Sequence, residues 1–383
     1  PPRREPIIIQ RPSADPSGFE RPGQWAYNLP EFLDKGGKLL EVSQFDGPQA
    51  DALHKVLNDN FGTPASPKVG GLDDESRKVL FKVESEKQLN DNLAEGSRLF
   101  RRHCLHCHGL PGDGHGPTAP WVNPHPRDFR PGKFKFTSTL GGNDRKPSRN
   151  DLLRTLKQGV EGTAMPSFNL LTDQELERLI DYVIHLSIRG QVEYDTYAFL
   201  FQSKASPQEV KDFATGSGDY EGAAGLPRIV ETWAKAEKGD PIPVGPYPDR
   251  NEEERLASVR RGYQRFVTAE AQCITCHLDF GRQNTYRYDD WGTVVRPRDL
   301  TAGLYRGGRR PVDLYYRVYN GINGTPMPAY VSSGSSKAPE QWNREVWDLV
   351  NFVQALPYPN MLPDDVREKV YGKKKDETKR AER

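Results

Sequence analysis

The sequence predicts a mainly α-helical chain of two similar domains in tandem, with an extended N-terminal arm and a long strap between the domains. Three observations carry this prediction. A five-residue motif occurs twice, as Cys104-Leu105-His106-Cys107-His108 and as Cys273-Ile274-Thr275-Cys276-His277. Downstream of each copy lies a matching methionine segment: Gly159-Val160-Glu161-Gly162-Thr163-Ala164-Met165-Pro166 in one half, Gly321-Ile322-Asn323-Gly324-Thr325-Pro326-Met327-Pro328 in the other. Apolar residues around both recur at the spacing of helices rather than of strands.

Taken in order, residues 1–87 are rich in proline and charge and carry one apolar run, Ile7-Ile8-Ile9. They are read as an extended arm that wraps its own domains or a partner, with one short helix from Ala50 to Leu57. The first domain spans residues 88–192. Gly96-Ser97-Arg98-Leu99-Phe100 leads into the first motif, and Asp151 to Gln158 reads as a short helix with Leu152, Leu153 and Leu156 inward. Thr172-x-x-Glu175 is a capping box, after which Leu176, Leu179, Ile180 and Val183 follow at helical spacing. Residues 193–249 end in Pro241, Pro243, Pro246 and Pro248. A loop of that length is functional or disordered, and an ordered strap is expected.

The second domain spans residues 250–358 and repeats the plan. Gly262-Tyr263-Gln264-Arg265-Phe266 precedes the motif, and Pro297-Arg298-Asp299-Leu300 parallels Pro126-Arg127-Asp128-Phe129. Asp313 to Tyr319 is the short helix, with Leu314, Tyr315 and Val318. Val346, Leu349, Val350 and Val353 mark the last one. Residues 359–383 end in a charge run from Lys373 to Arg383, the pattern of a solvated tail.

Each C-x-x-C-H motif reads as a c-type haem attachment site. Two thiols three residues apart reach the two vinyl groups of one haem and form thioethers, and the histidine after the second thiol is placed to ligate iron. The chain has four cysteines, and the motifs use all of them, so none remains for a disulfide. A thioredoxin-like pair needs no following histidine, and a zinc site pooling Cys104, Cys107, Cys273 and Cys276 would leave two histidines over. Electron-carrying c-type haems take methionine opposite histidine. Of only three methionines, Met165 and Met327 sit in matching frames. A following proline restricts each methionine toward extended backbone, as a ligand loop requires. The expected ligands are therefore His108 with Met165 and His277 with Met327; Met361 has no such frame. Among the remaining histidines, His103, His106, His115 and His125 cluster near the first motif, His185 fits an apolar helix face, and His54 is read as a surface residue.

These features resemble class I c-type cytochrome domains joined in tandem, over roughly residues 88–192 and 250–358. The first half is the closer match, because Cys-x-x-Cys-His-Gly continues through Gly112, Gly114, Gly116 and Pro117. In that family a proline carbonyl in this loop orients the proximal histidine, so Pro117 or Pro120 is the expected partner of His108. The second half departs: Leu278-Asp279-Phe280-Gly281 follows His277, then an aromatic stretch around Tyr286, Tyr288 and Trp291. The resemblance implies two covalently attached haem c groups and attachment outside the cytoplasm. The periplasm or another extracytoplasmic space follows, with a targeting segment removed ahead of Pro1 or attachment to a membrane through partners.

The 383 residues hold two domains and their appendages. Hydrophobic content of 35% and a mean hydropathy of −0.78 are low, and a buried porphyrin would supply part of the missing apolar core. A formal net charge of +1 gives no bulk electrostatic case for nucleic acid. Local basic groups stand out at Arg127, Arg130, Lys133 and Lys135, and at Arg296, Arg298, Arg309 and Arg310; they suit haem propionates or an acidic partner. No apolar stretch approaches the ~20 residues needed to span a bilayer. Two irons each closed by His and Met have no open position, which suits single-electron transfer rather than catalysis. The expected role is a relay between a redox protein donor and acceptor, free or within a membrane-associated respiratory complex. The rival is a dihaem enzyme, peroxidase-like or sulfur-oxidising, with one haem that opens.

Overall fold

The computed structural model describes residues 7–10, 36, 38–40, 47–141, 145–239, 241–247, 251–268, 271–283, 285–331 and 337–372. It is mainly helical and divides into two compact units. The first comprises Pro1–Pro241 with Arg287–Val295 and Ile322–Pro326; the second comprises Ile242–Tyr286, Arg296–Gly321 and Met327–Arg383. No described helix is long and apolar enough to cross a membrane.

In the first unit, β1 (Ile7–Gln10) pairs antiparallel with β2 (Lys38–Leu40). The stretch expected as an extended arm then forms two helices, α1 (Pro48–Phe61) and α2 (Asp74–Phe81). Helix α1 buries Ala50, Leu53, Val56, Leu57 and Phe61, a spacing that places one apolar stripe inward. Asp73 caps α2 by accepting from the Ser76 N–H at 2.6 Å. His54, expected at the surface, is half-buried, with Nε2 out of contact with solvent.

Helix α3 (Glu86–His103) starts at the Ser85 cap and carries Arg101, Arg102 and His103 in its last turn, where cations favour the dipole. It leads directly into the one-turn α4 (Leu105–His108). Helix α5 (Arg149–Gln158) and helix α6 (Asp173–Gln202) both begin with full capping boxes, at Ser148/Asp151 and Thr172/Glu175. Gly96 is the crossing point of α3 and α6: a Cβ there would collide with the Arg178 carbonyl. Phe100 packs beside it on Tyr182, ring centroids 5.5 Å apart.

Helix α6 does not stop near residue 192. It continues to Gln202 and is followed by α7 (Pro207–Thr215) and α8 (Gly225–Lys238), so the expected strap is largely helical and packs on the first unit's core through Leu200, Val210, Ile229, Val230 and Trp233. Arg149 ties the layers together. Its buried guanidinium donates to Asp181 (2.6 Å), to the Leu80 carbonyl (2.7 Å) and to Glu177, while its backbone N–H donates to Glu237 (2.9 Å).

The second unit is built on α9 (Glu252–Val267) and α12 (Pro339–Ala355), with the one-turn α10 (Cys273–Cys276), α11 (Pro311–Asn320) and α13 (Asp364–Tyr371) around them. Gly262 repeats the role of Gly96, since a Cβ there would collide with the Asp348 carbonyl. Phe266 then packs on Phe352 at 5.4 Å. Buried Asp348 accepts from the Ser258 hydroxyl and from Nε and Nη2 of Arg261 at 2.7–2.9 Å. The Lys373–Arg383 run lies outside the described residues.

Candidate haem sites

The first motif starts where α3 ends. The Cys104 backbone N–H closes the last turn of α3, and α4 places Cys107 and His108 on the next turn. Chain reversal follows at once: Gly114 N–H donates to the His108 carbonyl, Gly116 N–H to Cys107 and Thr118 N–H to His106, at 2.8–3.1 Å. This glycine loop brings the Pro126-Arg127-Asp128 segment over the histidine, and the Phe129 N–H pins it to the Gly112 carbonyl at 2.7 Å.

His108 Nδ1 then lies 2.9 Å from the Arg127 carbonyl oxygen. A carbonyl only accepts, so Nδ1 carries the proton and Nε2 keeps its lone pair for a metal. The Phe129 ring stacks on the imidazole, centroids 4.6 Å apart. Burial pushes the His108 pKa down to about 4, so the ring is neutral, as a ligand must be. The expected partners Pro117 and Pro120 do not supply this carbonyl; Arg127 does.

The second motif repeats the relationship. His277 Nδ1 lies 3.3 Å from the Arg298 carbonyl oxygen, at the matching place in Pro297-Arg298-Asp299, and burial lowers its pKa as well. No glycine run is needed to bring it there. Instead the chain turns through Asp279 and Phe280, both with positive φ.

The two methionine loops share their hydrogen bonds. Gly159 and Gly321 open them with φ of +67° and +68°, each against the backbone that follows its own methionine. Thr163 donates through N–H and Oγ1 to the Val160 carbonyl, at 3.1 and 2.7 Å; Thr325 does the same to Ile322, at 3.1 and 2.8 Å. Phe168 N–H returns to the Leu156 carbonyl, and Tyr330 N–H to Val318. Met165 packs against the same core that holds Cys104, Leu105 and Phe129. Met327 occupies the equivalent loop position, and Met361 is 40% exposed on a surface turn.

The donor chemistry fits haem. None of the four cysteines is paired in a disulfide. Burial pushes the Cys104 thiol up to about 12 and the Cys273 thiol up to about 11. Among the described residues, no cluster of three or more His, Cys, Asp or Glu could hold a metal ion. The thiols, the Nε2 lone pairs and the thioether loops are the groups a covalent haem uses.

Sequence reasoning singled out basic residues beside each motif, and the structure gives several of them internal partners. Arg130 pairs with Asp128, Lys133 with Asp290 and Lys135 with Asp289, all at 2.9 Å. In the second unit Arg310 pairs with Asp313 and Arg298 donates to the Leu304 carbonyl. His185, by contrast, is the core residue its helical position implies, 3% exposed. Among the other histidines, His115 and His125 face each other at 5.2 Å, and His103 packs on Phe168.

Residues 91–183 match the family model of cytochrome c oxidase, cbb3-type, subunit III. The match supports a c-type cytochrome domain over that segment, with the covalent haem c and electron transfer that such domains carry. A chain of the Kuenenia stuttgartiensis reducing HAO-like protein complex is similar at 24% identity, over 68% of this chain and 95% of that one, with a TM-score of 0.46. No curated protein matches.

Proposed function

We propose that the protein is a dihaem c-type cytochrome that carries single electrons between a redox donor and an acceptor, as a relay or as a subunit of a respiratory complex. The observation that carries this reading is the repeat of one local geometry: a C-x-x-C-H turn whose histidine is fixed through Nδ1 by the carbonyl of a Pro-Arg-Asp segment. Residues 88–192 and 250–358 are the proposed cytochrome domains. Cys104 and Cys107, and Cys273 and Cys276, would anchor one haem c each. His108 with Met165, and His277 with Met327, would close the two irons.

Bound haem supplies a one-electron iron couple. The chain's part is to keep the ligand set unchanged between the two redox states. The Arg127 and Arg298 carbonyls fix both rings, and burial keeps them neutral. The bonded threonines hold the methionine loops in shape. Such fixed ligation lets the oxidation state change with little movement, and methionine favours the reduced iron. Assembly would take place outside the cytoplasm, where haem is attached to such motifs.

The deciding experiment is the intact mass and the optical and paramagnetic spectra of the matured holoprotein. Two covalent haems, both six-coordinate and low-spin in both oxidation states, are expected. One haem would remove the dihaem reading, and prompt binding of cyanide by the oxidised protein or of carbon monoxide by the reduced one would transfer the chain to the enzyme class.

A further inference from the structure

We propose that Trp291 is a positioning residue for the first haem, acting on His108 through the Arg127–Asp128 backbone; this rests on the reading of His108 as an iron ligand. Trp291 sits at the tip of a hairpin whose arms are Arg287–Tyr288 and Val294–Val295. Asp289 organises the tip. Its carboxylate accepts from the Trp291 N–H (3.1 Å), the Thr293 N–H (2.8 Å) and the Thr293 hydroxyl (2.7 Å). The carboxylate is fully buried; burial works against its charge, but Lys135, Arg127 and Thr293 hold it below the ordinary carboxylate range.

The hairpin belongs to the first compact unit and is fastened there by the Lys135–Asp289 and Lys133–Asp290 ion pairs. So fastened, Trp291 meets the histidine-holding segment in two ways. Its ring lies under the Arg127 guanidinium, 3.5 Å from the guanidinium carbon to the ring centroid, and its indole N–H donates to the Asp128 carbonyl at 3.2 Å. Gly324 backs the ring from another side, where any Cβ would be 2.5 Å from it. The indole is thus confined, and it grips the side chain of Arg127 and the carbonyl one residue beyond the one that His108 uses. A cation over an indole is among the stronger contacts of its kind, more so when shielded from water.

The chemical consequence runs through the imidazole. A firm Nδ1–H···O=C bond makes the ring a more basic ligand and favours ferric iron. Loosening the Arg127 carbonyl therefore weakens that bond and raises the potential of the first haem. The corresponding segment around Arg298 has its own partner, the Leu304 carbonyl, within the second unit.

The test compares Trp291→Phe and Trp291→Ala with the parent holoprotein. Phe keeps a ring under Arg127 and loses the indole donor; Ala loses both. Redox titration should show the first-haem potential raised in Trp291→Ala and raised less in Trp291→Phe, with a smaller change at the second haem, whose Met327 loop touches Trp291 through Gly324. Met165→Ala identifies which wave belongs to the first haem. The Nδ1 proton of His108, followed by NMR in the reduced protein, should exchange several-fold faster in the same order. Parent-like potentials and exchange in both variants would overturn the inference while leaving two haems in place. A parent protein lacking the second haem or the methionine ligands would instead defeat the underlying reading, which haem counting and spectra detect before any variant is made. Should Trp291→Ala fail to mature, Trp291→Phe alone still decides.

Discussion

The carbonyl of Arg127 holds Nδ1 of His108 at 2.9 Å, and Arg298 stands in the same relation to His277 at 3.3 Å. The two pairs are reached by different local routes, a glycine-rich loop in one case and a turn through Asp279 and Phe280 in the other. That different backbones deliver the same contact points to what the contact does: it leaves Nε2 of each ring available and fixes the plane in which it points.

The methionine assignments are separable. Met165→Ala should open the first iron and lower that haem's potential by a fraction of the roughly 0.8 V that axial ligation spans, leaving the second near its starting value. Met327→Ala should do the reverse. Redox titration with carbon monoxide binding checks both, and a variant whose potential and ligand binding are unchanged would remove its methionine from the ligand set.

The helix crossings supply a second comparison. Gly96→Ala places a methyl group on the Arg178 carbonyl, and Gly262→Ala places one on the Asp348 carbonyl. Both contacts are backbone, so neither can give by rotating a side chain. Each substitution should cost about 1–3 kcal/mol or more through overpacking. Urea unfolding followed by the haem band should register this. Parent-like midpoints would mean that the helices separate freely at these points.

What the sequence made legible was local. The motifs, the capping box at Thr172 and the apolar stripes of the last helices are contacts within a few residues, and their partners can be read by counting. The helices inside the expected strap were legible in the same way. Ser206 and Glu209 form a capping box with Pro207 at the first position, and Leu226, Ile229, Val230 and Trp233 make one stripe. The prolines from Pro241 onward weigh against that pattern in a composition-based reading. What could not be counted were the long-range pairings. Nothing near Lys135 names Asp289, and nothing near Arg127 names Trp291. The carbonyl partner of His108 lay between these cases: the repeated Pro-Arg-Asp was visible, but backbone carbonyls look alike in every sequence.

Arg149 gives a test of stability in the first unit. Its side chain is 4% exposed and Asp181 is fully buried, with Arg178 a further 3.6 Å contact on that carboxylate. Arg149→Met removes the closest positive partner and leaves a buried carboxylate, which should cost about 3–5 kcal/mol. The double variant Arg149→Met with Asp181→Leu should recover much of that loss, because replacing a whole buried pair by apolar groups is often close to neutral. Thermal unfolding of the three proteins measures both. A double variant no better than the single one would mean that the ionic geometry itself, not the unpaired charge, carries the cost.

His185 contributes a pH dependence in a defined window. Its Nε2–H donates to the Phe61 carbonyl at 3.1 Å, its ring stacks on Tyr182, and Nδ1 is buried without a hydrogen-bond partner. Burial pushes the pKa from the ordinary 6.5 down to about 4, outweighing the Phe61 and Lys68 backbone groups that favour the charged ring. The unfolded chain therefore binds the proton first. Between pH 6.5 and 4 it holds more protons than the folded chain, so stability is fully present above 6.5 and falls as the pH drops through the window. The loss by pH 4 is on the order of 3 kcal/mol for this one group. His185→Gln keeps an N–H for Phe61 and cannot titrate. Urea midpoints taken from pH 7.5 to 4 should fall more steeply in the parent than in this variant, and parallel curves would show that the ring is protonated in the fold after all.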